Sequence, residues 1–538
     1  MTRSIEIYDT TLRDGTQAEN FNLSLEDKIK VCRELDSFGV DFIEGGWPGS
    51  NPLAVEFFQR MQGIGLRHAK LAAFGSTRHF QHPPEKDANL AALLAAKTQA
   101  ITIFGKSWDV HVTDALRIDL EDNLAIIEDS LAYLRPRVQH LFYDAEHFFD
   151  GFKANRDYCL ATLQRALAGG AETLVLCDTN GGTLTHELAQ IIQAVQQFFQ
   201  QNGQELRLGV HAHNDAECAV ANSLMAVHLG VVQVQGSMNG YGERCGNANL
   251  ASIIPALHLK MGLHCHAGTR LHQLYTTTRL INELANLPHN RYQPYVGDSA
   301  FAHKGGVHVS AVQRNPLTYE HINPDEVGNE RRILISDQSG RANVILKAER
   351  YGLPLRPDDP LMASIIAELK EMENQGYQYE AAEASFELLM RSALGLRRKF
   401  FTLKAFRVMN HKHSINKEPF TEATIRLSVG GIEAHTAAMG DGPVNALDLA
   451  LRKALTRFYP NLEDMELADY KVRVLSGEHG TGAKVRVLIE SRDSSGCSWG
   501  TVGVSFNIIE ASWQALVDSI NYKLMKDEQN RGKSTETQ

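Results

Sequence analysis

Arg13 and Asp14 stand side by side in DTTLRDGTQ, and His211 and His213 stand two residues apart in HAHND. On an extended strand, residues i and i+2 project from one face, so both imidazoles can meet a single ion. With the Asp14 carboxylate they form a mixed nitrogen and oxygen donor set, to which Asn247 in NGYGERCGNANL can add an oxygen. Such a set leaves coordination positions open for substrate and water, and it suits Mn2+, Mg2+ or Zn2+ rather than a closed thiolate site. Neither motif is decisive alone. An Arg–Asp pair in a loop is more often a structural salt bridge, and a chain with 22 histidines contains HxH triplets by chance. The other two, His264-Cys-His266 and His411-Lys-His413, fall in a loop and in a charged segment, and neither is expected to bind a metal. Glu146 in FYDAEHF and Thr179 in LCDTNGG each close an apolar run, where a polar group needs a partner or a chemical task. Cys245 has no base beside it and reads as a packed or bystander thiol.

These residues need elements that bring them together. Short β-rich runs alternate with helical patterns at 5–9, 40–46, 69–75, 100–105, 138–146, 171–179, 206–213 and 231–238. Eight βα units imply a TIM (β/α)8 barrel, whose active site lies at the C-terminal mouths of its strands. Arg13, Asp14, Glu146, Thr179, His211 and His213 all fall at such mouths. An open doubly wound sheet would carry a glycine-rich dinucleotide turn after an early strand, and none is present. In SLEDKIKVCRELDSFG, Ser24 is the expected helix cap, Asp27 completes the capping box, and Ile29, Leu35 and Phe38 supply part of the apolar stripe.

The expected organisation is a barrel over 1–265, mainly helical linker subdomains over 266–401, an α+β domain over 402–526 and a disordered polar tail over 527–538. Within the third part, strands are expected near 402–409, 422–428, 432–438, 470–476, 483–490 and 499–505, with helices over 443–458 and 508–525. Ala446, Ala450 and Leu451 recur as Ala511, Ala515 and Leu516, which suggests a unit duplicated at an offset of 65. The turn MGDGP, with Gly440 and Gly442, opens the first of these helices and offers backbone donors to a carboxylate.

The whole chain of 538 residues carries 54 basic and 64 acidic side chains, a net charge of -10. That balance provides no electrostatic case for a nucleic-acid or anionic-membrane partner. No apolar run approaches the roughly 20 residues of a membrane span, and the chain runs from its first Met almost directly into a strand, so a cytoplasmic protein is expected. Seven scattered cysteines with no CxxC pair suit reduced, mostly buried thiols.

DTTLRDGTQ, HAHND and GERCGNANL together resemble the signatures of the metal-dependent, Claisen-condensing TIM-barrel family that includes 2-isopropylmalate, homocitrate and citramalate synthases. The resemblance continues through FAHKGGVHVSAVQRNPLTYEHINPDEVGNERRILISDQSGRAN, MGDGPVNALDLALRKAL and VGVSFNIIEASWQAL, so it covers essentially the whole chain. FIEGGWPGSNP, FGSTR, YDAEHFFDGF and GYQYEAAEASFELLMR look closest to the long-form citramalate branch. The resemblance implies that Asp14, His211 and His213 ligate a divalent ion, with Asn247 as a nearby or fourth ligand, and that Arg13 contacts the α-keto acid and its developing alkoxide. It implies catalytic roles for Glu146, for Thr179 as a keto-acid contact, and for His308 and Tyr319, which in the family often come from the partner subunit of a homodimer. Asp144 departs from the serine usual in isopropylmalate synthases and leaves the pocket lining on strand five open.

The implied reaction is condensation of acetyl-CoA with pyruvate and thioester hydrolysis to citramalate and CoA, an acyltransferase chemistry on a route to isoleucine, with isoleucine as feedback effector. The alternatives are a synthase that takes a larger keto acid, such as 2-isopropylmalate synthase, and a metal-dependent acyl-CoA lyase. A lyase would place its cysteine near the start of the glycine-rich loop, whereas Cys245 sits two residues before Asn247. The reaction needs a base for the methyl proton, an electrophile for the keto carbonyl and a charge sink for the alkoxide. Glu146 and His308 are both candidates for the base. With neither a Walker A nor a GxGxxG loop, the CoA phosphates are expected to meet scattered basic residues at the barrel rim.

Overall fold

The computed structural model describes residues 3–334, 341–412, 418–475 and 482–536. His413 therefore lies outside the described residues. Eight parallel strands close a barrel in chain order: β1 (Glu6–Asp9), β2 (Phe42–Gly46), β3 (Lys70–Ser76), β4 (Ala100–Lys106), β5 (His140–Glu146), β6 (Thr173–Asp178), β7 (Leu208–Ala212) and β8 (Gln233–Gly236). β8 pairs back onto β1, with Tyr8 opposite Gln235. Every strand overlaps the run expected for it.

The helices that cover the barrel start and stop where their local chemistry says. In Leu25–Phe38, Ser24 accepts from the Asp27 amide at 3.2 Å, and the helix ends at Gly39, whose φ of 98° is left-handed. Ile29, Leu35 and Phe38 are buried against the barrel as the stripe predicts. Inside, Tyr8, Phe42, Ala72, Ala100 and Phe142 fill the lumen as a packed plug, with Phe42 and Phe142 edge-to-face at 5.0 Å. The plug forms a solid floor beneath the mouth.

The barrel core does not stop at 265. Leu271, Leu274, Ile281, Val296, Phe301, Ile322 and Val327 belong to the same buried cluster, so one compact unit comprises Met1–Phe301 and His321–Arg331. The other comprises Ala302–Glu320 and Arg332–Gln538. It opens with a short parallel pair, β9 (Ala302–His303) and β10 (Arg332–Ile333), and the helices Gly306–Arg314, Arg341–Arg350, Leu361–Asn374 and Glu383–Ala393.

Two βββα modules follow. β11 (Thr402–His411), β12 (Phe420–Val429) and β13 (Ile432–Gly440) form an antiparallel sheet with the helix Pro443–Leu455 after it; β14 (Met465–Val474), β15 (Val485–Asp493) and β16 (Ser498–Ser505) repeat the pattern before the helix Ile508–Glu536. The duplication extends to single hydrogen bonds. Thr436 Oγ1 donates to the Ala450 carbonyl at 2.8 Å, and Thr501 Oγ1 to the Ala515 carbonyl at 2.9 Å. Both first strands carry a register irregularity near their start, between Leu403 and Ala405 and between Leu467 and Asp469. Ala446, Ala450, Leu451, Ala511, Ala515 and Leu516 are all buried.

The last helix corrects one expectation, since it continues past 525 through Glu536 instead of giving way to a disordered tail. Lys523 explains part of this: its ammonium meets Asp493 and, one turn on, Asp527, both at 3.0 Å. Among the described residues, no helix is long and apolar enough to cross a membrane. All seven cysteines are free thiols, with Cys32, Cys159, Cys177 and Cys265 buried and Cys245 exposed.

Candidate active site

The loop after β1 is tied to the far side of the barrel seam before it presents any chemistry. Thr10 bonds the Gly236 carbonyl through its amide at 2.7 Å and its hydroxyl at 3.1 Å, and Thr11 Oγ1 accepts from the Met238 amide at 2.9 Å. Asp9, wholly buried, holds the Thr11 amide and hydroxyl, both at 2.9 Å. Burial pushes its carboxyl up to about 7, against the pull of those hydrogen bonds. From behind, the buried Lys28 ammonium donates to the Leu12 carbonyl at 2.8 Å. Arg13 and Asp14 thus leave a fixed loop.

Arg13 lies over the Phe74 ring, 3.7 Å from its centroid, with Nε on Glu44 Oε1 and Nη1 3.6 Å from Asp14 Oδ2. Glu44, at the heart of β2 and fully buried, also accepts from the Tyr8 hydroxyl at 2.7 Å. The lumen plug therefore supports the carboxylate that supports the guanidinium. Burial opposes the charge on Arg13, but Glu44 and Asp14 outweigh it and hold the guanidinium protonated.

His211 and His213 face Asp14 as their alternation predicts. His211 Nε2 lies 3.3 Å from His213 Nε2 and 3.3 Å from Asp14 Oδ2, and His213 Nε2 lies 3.8 Å from Asp14 Oδ2. Separations of this size are those of donors bound at about 2.1 Å to one shared ion. All three are buried, and their ligand atoms fall within 4.8 Å of one another. Burial lowers His213 to about 3, with His211 adding to the effect, so its imidazole is neutral and its lone pair free. Asp14 is held well below the ordinary carboxylate range, since Arg13 and the two histidines overcome the cost of burial. His211 Nδ1 contacts Gln235 Oε1 at 2.9 Å, while Gln235 Nε2 donates to Asp144 Oδ1 at 3.1 Å. That orientation suits a proton on His211 Nδ1, and with no ion between them Asp14 raises His211 against the effect of burial. The donors, their charge states and this support fit a divalent cation.

Asn247 is buried and pairs through its backbone with His213. Its Nδ2 donates to Thr10 Oγ1 at 3.3 Å, and its Oδ1 is buried without a partner, as a nearby oxygen ligand would be.

Around this cluster lies a cavity of about 240 Å3. Arg13, Asp14, His211 and His213 form one side, and Asp144, Glu146, Cys177 and Thr179 another. Trp47, Phe74 and Phe104 complete the wall. Phe74 and Phe104 stack at 5.4 Å, and Trp47 meets both rings edge-on while its indole N–H donates to Asn89 Oδ1 at 2.7 Å. Asp144 is pushed up to about 7, first by burial and then by Glu44, against the attraction of His211. Thr179 Oγ1 accepts from the His147 amide at 2.8 Å, which caps the turn after β5 and leaves the hydroxyl proton for another acceptor. Glu146 Oε2 is paired with Lys106 Nζ.

His308 and Tyr319 belong to the other compact unit, where their rings stack at 4.1 Å. Gly440 ends β13, and Gly442 caps the helix Pro443–Leu455 in extended conformation with no side-chain bond to the helix. The remaining triplets have other surroundings: His264 contacts Ser4 at 3.3 Å at the N-terminal end of the barrel, His266 stacks on His68 at 3.6 Å, and His411 ends β11. Glu44, Gln235, Lys106 and the three aromatic rings escape a reading by motif. A carboxylate inside the apolar FIEGG and two glutamines alternating in VVQVQGS are the signals that mark the first two.

Residues 4–281 match the HMGL-like family, 295–377 the homocitrate synthase post-HMGL domain-like family, and 380–524 the LeuA allosteric (dimerisation) domain. An (R)-citramalate synthase of Geobacter sulfurreducens is 56% identical over 98% of this chain and 99% of its own length. One from Aquifex aeolicus is 53% identical over 98% of this chain and 99% of its own. A 2-isopropylmalate synthase of Pseudoalteromonas atlantica, also matched end to end, is 29% identical. The fold, the Asp14/His211/His213 cluster and these likenesses agree: the chain belongs to the HMGL-like family, among the relatives that are (R)-citramalate synthases.

Proposed function

We propose that the chain condenses acetyl-CoA with pyruvate and hydrolyses the resulting thioester, giving (R)-citramalate and CoA. The observation that carries this reading is the end-to-end identity with (R)-citramalate synthases, joined to a cavity in which Arg13 faces the Asp14/His211/His213 cluster.

Asp14, His211 and His213 would hold a divalent ion, with Asn247 contributing its unpaired oxygen, and the bound ion supplies Lewis-acid polarisation of the keto carbonyl. Mn2+, Mg2+ and Zn2+ all suit that donor set. The guanidinium of Arg13, clamped by Glu44, binds the keto acid and neutralises the alkoxide as it forms. The free proton of Thr179 is available to a substrate oxygen, and Asp144 lines the wall. Glu146, with His308 as the second candidate, removes the methyl proton of the thioester, and Tyr319 completes the group; His308 and Tyr319 are read as coming from the partner subunit of a homodimer. The reading of dimerisation and allostery is supported by the LeuA-type domain.

The aromatic wall is read as favouring a small keto acid, because Trp47, Phe74 and Phe104 pack against one another along the cavity. We read isoleucine as the effector, held by its carboxylate at the turn of Gly440 and Gly442. What supports this is the contrast between the modules: Asn507 Oδ1 accepts from the Ile509 amide at 2.8 Å at the second helix start, while the first has no such side chain.

Release of CoA thiol from acetyl-CoA, followed with pyruvate, 2-ketoisovalerate and 2-ketoglutarate in parallel, tests the function. Pyruvate should give the highest kcat/KM; a preference for 2-ketoisovalerate would move the chain to the isopropylmalate reaction.

A further inference from the structure

Beside the cavity at the barrel mouth lies a second one of about 540 Å3, lined by the ends of β3 and β4 and by residues that follow them. Phe104 lines both. Lys106 and Glu146 are register partners at the ends of the adjacent strands β4 and β5, and Lys106 Nζ pairs with Glu146 Oε2. Glu146 lines the smaller cavity and Lys106 the larger. The ion pair therefore stands where the two cavities meet, with side chains 22% and 23% exposed. Arg78 and Asp87 line the larger cavity too, with Arg78 paired to Asp129 at 2.8 Å.

The chemistry of condensation leaves one charge without a partner. Arg13 and the Asp14/His211/His213 cluster serve the keto acid. Removing a proton from the thioester methyl also places negative charge on the thioester oxygen, and that charge needs a donor of its own. We propose that Lys106 is a catalytic residue of the acyl-donor half-reaction, its ammonium donating to the thioester carbonyl oxygen of an acyl-CoA whose arm occupies the larger cavity. The proposal rests on the condensation reading above.

In this step the methyl C–H bond breaks and its proton passes to the Glu146 carboxylate. The released pair forms the C=C bond of the enolate, and the C=O π pair moves onto oxygen. Negative charge leaves Glu146 as it arrives on the enolate oxygen, so the ammonium between them is paired before and after. The C=C pair of the enolate then forms the bond to the keto carbon as the thioester C=O re-forms, and the keto C=O π pair moves onto its own oxygen, giving the alkoxide that Arg13 faces.

Lys106→Met and Lys106→Gln, each in the full-length, metal-loaded protein, test this. Both should lose about 100-fold in kcat, while KM for pyruvate moves by no more than about threefold. Lys106→Arg should recover part of the loss, since it keeps a cation at the mouth. Metal affinity measured by calorimetry should match wild type, which separates the effect from misfolding. A direct readout is competition by two CoA thioethers, carboxymethyl-CoA, whose carboxylate stands in for the enolate, and ethyl-CoA, which has no carbonyl. Wild type should prefer the first, and Lys106→Met should lose that preference by about tenfold. A Lys106 that only steadied Glu146 would leave the preference intact, and that result, or a kcat within about threefold of wild type, overturns the proposal. Failure of wild type to release CoA with any keto acid would overturn the condensation reading instead.

Discussion

Gln235 presents its carboxamide oxygen to His211 Nδ1 at 2.9 Å because its Nε2 is already committed to Asp144 Oδ1 at 3.1 Å. A residue of β8 thereby orients a candidate metal ligand on β7, through a contact fixed by the barrel register of His211 against Gln235. Gln235→Leu keeps much of the side-chain volume but removes that acceptor. Divalent-ion affinity, measured by calorimetry or chelator competition, should fall by about 10–100-fold. Unchanged affinity would show that His211 needs no such support.

Arg13 is held by three different forces: the Phe74 face, the Glu44 carboxylate and the neighbouring Asp14. A lysine cannot stack and cannot present a planar fork, so Arg13→Lys should lower kcat by about 100-fold or more with pyruvate. His213→Ala removes one of the three cluster ligands and should abolish turnover, as should treatment with a chelator, reversed by added metal. His264→Ala, whose side chain contacts Ser4 at the opposite end of the barrel, is the control and should turn over like wild type. Retention of most activity by either site variant would displace the assigned centre.

The eight barrel strands and the two βββα modules are legible in the sequence for the same reason: β-rich runs separated by capped helices leave a periodicity that packing does not overrule. Asp14, His211 and His213 are legible because strand alternation and the barrel rule together place them at one mouth. Glu44 and Lys106 are not, because each acts through a side chain on another strand, and the register that brings Lys106 beside Glu146 and Glu44 beneath Arg13 is a property of the closed barrel. A barrel end at 265 falls short for a similar cause, since the packing of Ile281 and Val296 onto the barrel core is a tertiary contact that leaves no local pattern. The length of the last helix is hidden by its polarity, which looks like disorder in the sequence although Lys523 and Asp527 pair along its axis.

Asp9 sets a pH dependence on stability. Its folded carboxyl titrates at about 7, raised chiefly by burial from 3.8. Between those values the folded state keeps a proton that the unfolded state has released, so this group favours folding least at high pH: stability falls as pH rises from 4 to 7 and then levels. The cost at pH 8 attributable to this group is on the order of 4 kcal/mol. Asp9→Asn keeps an oxygen for the Thr11 amide and removes the titration. Its Tm relative to wild type should therefore climb between about pH 4 and pH 7 and be flat outside that window. A difference independent of pH would mean that Asp9 is ionised throughout.

Gly442 stands at a helix start where the two modules differ. Its backbone is extended, at φ -159° and ψ 170°, and a Cβ added there would meet nothing within 4 Å. An aspartate therefore fits without strain, and its carboxylate would reach the first amides of the helix Pro443–Leu455 as Asn507 reaches those of Ile508–Glu536. If isoleucine uses those amides for its carboxylate, Gly442→Asp should raise the isoleucine concentration for half-inhibition by about tenfold or more, and basal kcat should stay within about twofold of wild type. The added cap should also stabilise the helix by about 1 kcal/mol, which denaturant unfolding can read independently. Coupling is reciprocal wherever the effector changes substrate affinity, so substrates that favour the active state should weaken isoleucine binding to the wild-type protein and leave the variant unaffected. Initial rates against isoleucine and leucine titrations decide the matter. Equal inhibition of wild type and Gly442→Asp would move the effector site away from this turn, and no response of the wild type to either amino acid at millimolar levels would leave the domain with dimerisation alone.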